Sequence, residues 1–502
     1  LSNQGELKGV WYLTSIVTAI CHGRFRNFKS KKTILLNSFF SLTARLSELL
    51  AGFVTIILAA RFFGVEGFGE FAFIRAVCFI LAPVITFGVF PILVREISVD
   101  RNQSLNFFCA GLVVNLIVGI PLCLILFIVP HFFYEAGIFP KSVFLVAIAA
   151  QLFEVMTKTA SSVFIAYEKI QFDLINVIIS RVLIILLIIA VVWFEMPGIC
   201  MFYVFAVANL VAFIISVVIV NRLIRSVSHL NLSLIIYLVR QAFPIAIATF
   251  MTQGYNNIFV FLLKLLRDSA EVSFFQAPQR LIQPCLMIPR SLFLAYVPTL
   301  SRMAMDCHSL TLLSSVNCRI LKYIFVFTLP VSLFVTAFAE QFIILAFGLD
   351  FVRATVALKI LIWSINLLFV NILFDFVLTS MKKQNLLMIS NALCLAASSS
   401  IGFVLVWRYG YQGACWATLL SYAVLVCSNF YFVSRDLGVI PVHRIVIKPL
   451  FASGVFAAIL FLGLDEINGV ILILICSVIY FTILFLLQAF TDEELGDLKK
   501  KL

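Results

Sequence analysis

Residues 59–77 read AARFFGVEGFGEFAFIRAV and join two long apolar runs, near 34–60 and 68–94. A helix needs roughly 20 apolar residues to cross a hydrocarbon core of about 30 Å, and both runs meet that length. The stretch therefore reads as the outer joint between two membrane helices, with Gly64, Gly67 and Gly69 permitting a tight turn and close packing. It also carries Arg75 inside the second run, with no acidic residue three or four positions away. A charged side chain at mid-bilayer costs about 2.5–3.5 kcal/mol even on lenient insertion scales, so Arg75 is expected to face the bundle interior or a water-filled cavity. A related pattern, LLRDSAEVSFFQAPQRLIQ, starts at Leu265 and again places an arginine, Arg280, in the span after the joint.

The rest of the chain agrees with a membrane reading. Of its 502 residues, 63% are hydrophobic and 12% charged, and the mean hydropathy is +1.12. A soluble domain carries about a quarter charged residues. In lipid the backbone must satisfy its own hydrogen bonds, which makes these runs helices, and the short alternating segments of an outer-membrane barrel are absent. The net charge of +12 is scattered over short loops, so no nucleic-acid partner is expected and the positive-inside rule accounts for it. The twelve cysteines form no C-x-x-C pair and no ligand cluster, so neither a disulfide framework nor a metal site is expected.

The expected fold class is all-α: a polytopic membrane protein of about 14 transmembrane helices. Three echoes in the same order, offset by about 204 to 214 residues, suggest two copies of one six-helix unit. GVEGFGEFAF pairs with DSAEVSFFQA, AYEKIQFDLINVIIS (166–180) with SMKKQNLLMISNALC (380–394), and PGICMFYVFAVANLVAF (197–213) with YQGACWATLLSYAVLVC (411–427). An even number of helices per unit gives both copies the same orientation. The expected domains are an N-terminal extension (1–33), an N-lobe of spans 1–6 (34–226), a C-lobe of spans 7–12 (227–435), and an extra span pair with a charged tail (436–502). Residues 10–21 are too short to span, and the basic stretch that follows them stands on the wrong side for a signal peptide. The extension is therefore expected to be cytoplasmic or interfacial. Lys and Arg are richer in the loops that lie inside when the N-terminus is inside, so both termini are expected to be cytoplasmic.

Several spans carry polar stripes. The first has Asn37, Ser41, Arg45, Glu48, Gly52 and Thr55; the fourth Gln151, Glu154, Lys158 and Ser161; the fifth Asp173, Asn176, Ser180 and Arg181; the eighth Gln276, Arg280, Gln283 and Arg290; the tenth Ser364, Asn371 and Asp375. Steps of three and four residues put each set on one helix face. Glu154 with Lys158, and Arg45 with Glu48, either neutralise each other as structural glue or face a shared cavity. Arg181 has Asp173 two turns away, and Arg75, Arg280 and Asp375 have no charged partner one turn away. The unpaired charges are mostly positive, and a guanidinium fork matches phosphate oxygens. The candidate substrate-binding residues are Arg45, Arg75, Arg181, Arg280 and Arg290, and the candidate ion-coupling residues are Glu48, Glu154 and Asp375.

Phosphate-loop, zinc-protease and D-x-D patterns are missing, and GVEGFGE has no lysine to cradle a nucleotide. The chain is expected to be a transporter rather than an enzyme and to need no cofactor. The stretch from LLNSFFSLTARLSELLAGFVTIILAARFFGVEGFGEFAF to FGVFPILVREIS resembles the opening of polysaccharide transporters, the O-antigen flippases of the Wzx type, in the multidrug/oligosaccharidyl-lipid/polysaccharide exporter superfamily. YGYQGACWATLLSYAVL is similar to a segment near that family's twelfth span. Asp268, Ser269 and Ser273 stand in the second joint where the family has glycine. The resemblance covers roughly residues 34–435 and implies two lobes, alternating access, and a bacterial inner-membrane protein. It further implies a cargo of undecaprenyl-pyrophosphate-linked oligosaccharide, moved from the cytoplasmic to the periplasmic leaflet through a cationic cavity holding Arg45, Arg75 and Arg280. Lipid-linked oligosaccharide, membrane lipid and other polysaccharide-assembly proteins are the partners it implies. A flippase for the peptidoglycan precursor, a drug or ion antiporter, and a membrane polysaccharide polymerase are the rival readings.

Overall fold

A computed structural model describes residues 31–133, 137–224, 231–290, 293, 310–381, 383–438, 441–463 and 469–487. Most of the expected N-terminal extension, the far end of the eighth span and the charged C-terminal tail lie outside the described residues.

The joint at residues 59–77 is a bend within one continuous double-length helix, α1 (Lys31–Thr86). Its backbone leaves helical geometry at Gly64 alone, with φ 65° and ψ −167°. A side chain is strained in that region, which is why the bend falls on a glycine. The first half of the chain continues with α2 (Val89–Val99), α3 (Ser104–Phe133), α4 (Val143–Ala166), α5 (Ile170–Trp193) and α6 (Cys200–Leu223). The second half holds α7 (Leu232–Leu266), α8 (Ser269–Ile282), α9 (Leu310–Ala337), α10 (Ala339–Phe347), α11 (Ala354–Leu361) and α12 (Ser364–Ser380). A second double helix, α13 (Gln384–Leu437), bends at Gly410, and α14 (Val442–Gly463) and α15 (Gly469–Leu486) follow. The Gly410 bend frees carbonyls that a straight helix would bond, and the Arg267 guanidinium donates to those of Val406 and Trp407. The Tyr411 amide on the far side of the bend donates to Glu271.

Nine helices among the described residues are long and apolar enough to cross a membrane. Dividing the two bent helices at their glycines, and adding α8 and the shorter α14 and α15, gives the about fourteen crossings expected. The protein is an all-α, multi-pass membrane protein. Its outward face is apolar: Ile117, Leu124, Leu186, Phe403 and Val478 each expose half or more of their surface, as lipid-facing residues do.

The early helices pack on one another, α4 on α6 and α3, and α1 on α5. The later ones do the same, α7 and α12 on α13, α8 on α11, and α14 on α9 and α15. Buried amides tie neighbours together: Asn115 donates to Thr159, Asn176 to Ser216, and Asn366 to Ser332. Such bonds have no water to compete with in a membrane interior. Asn176 belongs to the fifth span's polar stripe, so that stripe serves in part as helix–helix glue.

The two groups of helices meet through α1 against α7 and α8. At the Gly64 end the approach is close: a Cβ on Gly69 would stand 1.7 Å from the Ser269 carbonyl oxygen. Ser273 donates to the Val65 carbonyl there, and Lys264 faces Glu70 at 3.6 Å. Arg61 donates to the Leu345 and Ala346 carbonyls at 2.6 and 3.1 Å, at the C-terminal end of α10, where the helix dipole favours a cation. At the opposite end Tyr237 of α7 donates to Glu96 of α2 at 3.0 Å, and Glu96 also accepts from Arg95.

Candidate functional site

Where α1, α4, α5, α6 and α8 come together they leave a cavity of about 330 Å³. Before its bend α1 contributes Glu48, Gly52, Thr55 and Ile56; after it, Phe68, Phe71, Ala72, Arg75 and Phe79. Steps of three and four residues on both limbs keep these groups on one side. Glu154 enters from α4, Arg181 and Ile184 from α5, and Phe205 from α6. From the second half of the chain come Arg280 of α8 and Gln283 just beyond it.

Charge is unevenly compensated around this space. Arg181 binds Glu48 at 2.8 Å and lies 3.9 Å from Glu154. Lys158 binds Glu154 at 3.0 Å. One wall is thus a network in which two carboxylates hold two cations. Arg75 and Arg280 stand apart from it. Glu154 is within electrostatic reach of Arg75, but no ion pair or hydrogen bond holds the Arg75 guanidinium among the described residues. Its neighbours are aromatic faces, with the Phe205 ring centroid at 4.4 Å and that of Phe79 at 4.8 Å. Arg280 lies 5.6 Å from the Phe79 centroid and donates to the neutral Gln283 side chain at 3.0 Å.

The structure brings together five of the eight residues singled out from the sequence: Arg75, Arg181, Arg280, Glu48 and Glu154. Glu48 pairs with Arg181 across two helices rather than with Arg45 on its own helix, and Arg45 is exposed and outside the cavity lining. Arg290 is likewise exposed and outside it. Asp375 sits away from the cavity on α12. Asn371 donates to one of its carboxylate oxygens at 3.0 Å and Asn429 to the other at 3.1 Å. Asn371 shares the tenth span's polar stripe with Asp375, whereas nothing in helical spacing points to Asn429 on α13. The spacing of opposite charges also passes over Phe79 and Phe205, although Phe79 lies one helical turn from Arg75 and is legible on that ground.

Residues 34–304, more than half of the chain, match the family described as polysaccharide biosynthesis protein. The chain belongs to that family. No curated protein matches it in sequence. Solved structures do. The lipid II flippase MurJ in its inward closed conformation is similar at a TM-score of 0.73 and 16% identity, over 90% of this chain and 98% of MurJ. A multidrug resistance MATE family transporter of the MOP superfamily, inward-facing, is similar at 0.65 and 14%, over 78% of this chain and 94% of the other. The Vibrio cholerae MATE transporter VcmN in its bent form is similar at 0.56 and 16%, over 81% and 96% respectively. At such identities the likeness establishes a shared fold. This polysaccharide biosynthesis family member thus has the fold of the MOP superfamily, which bears out the resemblance read from its first joint.

Proposed function

We propose that this protein is a flippase that carries an undecaprenyl-pyrophosphate-linked oligosaccharide, an O-antigen or similar repeat unit, from the cytoplasmic to the periplasmic leaflet of a bacterial inner membrane. The observation that carries the reading is the cavity position of Arg75 and Arg280, one from each half of the chain, both without a carboxylate partner among the described residues. A diphosphate supplies the missing anion, and charge-assisted bonds to guanidinium are the strong ones. Residues 34–226 and 227–435 act as two lobes that rock about the head group. The prenyl tail stays in the bilayer, because extracting it costs about 0.8 kcal/mol per CH₂. Arg181 organises the cavity wall through Glu48 and Glu154, and Arg45 and Arg290 guide the head group on its way in. Both termini lie on the cytoplasmic side.

The test is leaflet assignment. Deleting the protein from its host is expected to accumulate lipid-linked repeat units on the cytoplasmic leaflet, read by their protection from an enzyme added outside spheroplasts. Accumulation on the periplasmic leaflet sinks the reading. The likeness to MurJ over nearly its whole length favours a second reading, a flippase for the peptidoglycan precursor. Rescue of cells depleted of their own lipid II flippase selects that reading over the first.

Reset of the empty carrier draws on an ion gradient, and Asp375, Glu48 and Glu154 are the proposed coupling groups. Asp375 is the strongest of the three, since its hydrogen bonds come from amides, with Arg290 only within electrostatic reach. Asp375→Asn keeps the size and removes the charge. It is expected to slow gradient-driven transport in vesicles about tenfold or more, as loss of a protonatable or ion-binding intramembrane carboxylate does. Unchanged gradient dependence excludes Asp375.

A further inference from the structure

We infer that Phe79 is a positioning residue that presents Arg75 and Arg280 as one clamp for a diphosphate. The inference rests on the cationic-cavity reading above and adds the means by which the cavity tells two linked phosphates from one.

A single ring serves both guanidinium groups. Phe79 is one helical turn beyond Arg75 on α1, and the Arg75 guanidinium carbon lies 4.8 Å from its centroid. Arg280 reaches the same ring from α8, at 5.6 Å. Like charges brought to one place repel, and among the described residues no carboxylate pairs with either. The carboxylates of the cavity are on the other wall, bonded to Arg181 and Lys158. The negative face of an aromatic ring attracts each cation and holds it.

A ring contact also differs from an ion pair in what it leaves unused. The ring attracts the positive charge, whereas a carboxylate takes up N–H donors. A carboxylate in place of Phe79 would consume a bidentate fork. Phe79 leaves the fork of Arg75 unspent, and Arg280 commits one nitrogen, Nη1, to Gln283. Phe205, on the opposing helix α6, takes Arg75 at 4.4 Å and restricts it further. The result is two oriented forks, one carried by each half of the chain. A diphosphate engages both at once, whereas orthophosphate satisfies one fork and leaves the other charge uncompensated. Phe79 thus ties cargo recognition to the approach of the two halves.

The test uses the full-length protein purified in detergent. Calorimetry measures inorganic pyrophosphate, orthophosphate and a short polyprenyl diphosphate against wild type, Phe79→Leu, Phe79→Trp and the Arg75→Ala/Arg280→Ala pair. Phe79→Leu is expected to weaken both diphosphates about tenfold and orthophosphate far less, and Phe79→Trp to restore diphosphate binding to within about threefold, since Trp offers a better cation face. Transport of lipid-linked cargo in vesicles should follow the diphosphate affinities. A purely structural loss lowers all three ligands together and is not rescued by Trp, which overturns the inference. So does wild-type diphosphate affinity in Phe79→Leu. If the arginine pair variant also binds both diphosphates normally, or if wild type binds neither, the cationic-cavity reading itself fails. Binding of the prenylated but not the inorganic diphosphate by wild type assigns the site to a lipid head group, with the Phe79 comparison made on that ligand.

Discussion

Replacing both Arg75 and Arg280 with alanine is expected to abolish export of surface polysaccharide while leaving the protein inserted at wild-type abundance. Hydrogen bonds to charged groups contribute about 1.5–3 kcal/mol each. Loss of both forks therefore lowers transport roughly 10²–10⁴-fold. Abundance is preserved for a physical reason. Among the described residues neither guanidinium makes an ion pair, so truncating them strands no buried carboxylate there. The contrast is Arg181→Ala, which leaves Glu48 without the cation that binds it and Glu154 with Lys158 alone. That variant is expected to lower abundance as well as transport. Immunoblots of membrane fractions with staining of surface polysaccharide separate the two effects. Normal polysaccharide in the Arg75/Arg280 double variant removes the cationic cavity from the mechanism.

Gly69→Ala is expected to lower transport as well, less severely and by a different route. Its Cβ would stand 1.7 Å from the Ser269 carbonyl oxygen and 2.9 Å from the Ser273 hydroxyl. Backbone cannot rotate away as a flexible side chain does, so α1 and α8 must separate at the Gly64 end. Overpacking of this kind costs about 1–3 kcal/mol, charged only to the conformation in which these ends touch. A two-state carrier then shifts roughly 5–150-fold towards the conformation in which they are apart. Spin labels at Glu66→Cys and Leu349→Cys, both exposed positions flanking this end, should report a longer distance, and transport should fall. An unchanged distance distribution with full transport would show that α8 yields without cost. Diphosphate affinity in the same variant tests the clamp: if one ring must hold guanidinium groups from α1 and α8, parting those helices weakens binding.

These expectations rest unequally on the sequence. Arg75 was legible because hydrocarbon makes an isolated charge costly, and an arginine with no acid one turn away must then face inward. The Gly64 bend was legible because two apolar runs, each long enough to span, met at glycines. The pairing of Glu48 was not. Helical spacing ranks Arg45 and Arg181 by separation along one helix, yet Arg181 reaches Glu48 from α5, and only packing places those helices side by side. The same limit hid one of the two amides around Asp375. Asn371 shares its helix, but Asn429 arrives from the far limb of α13.

Periodicity and hydropathy thus determined, from the sequence by itself, that this is a many-span helical membrane protein with arginines turned inward, because the cost of exposing charge or backbone to lipid acts residue by residue and is written locally. Which arginine is neutralised, which stays uncompensated, and that one phenylalanine ring serves both of the latter were decided only by the tertiary structure. Those facts depend on distances of a few ångströms between helices far apart in the chain, and a stripe on one helix tells which face turns inward but not which residue of a neighbour it meets.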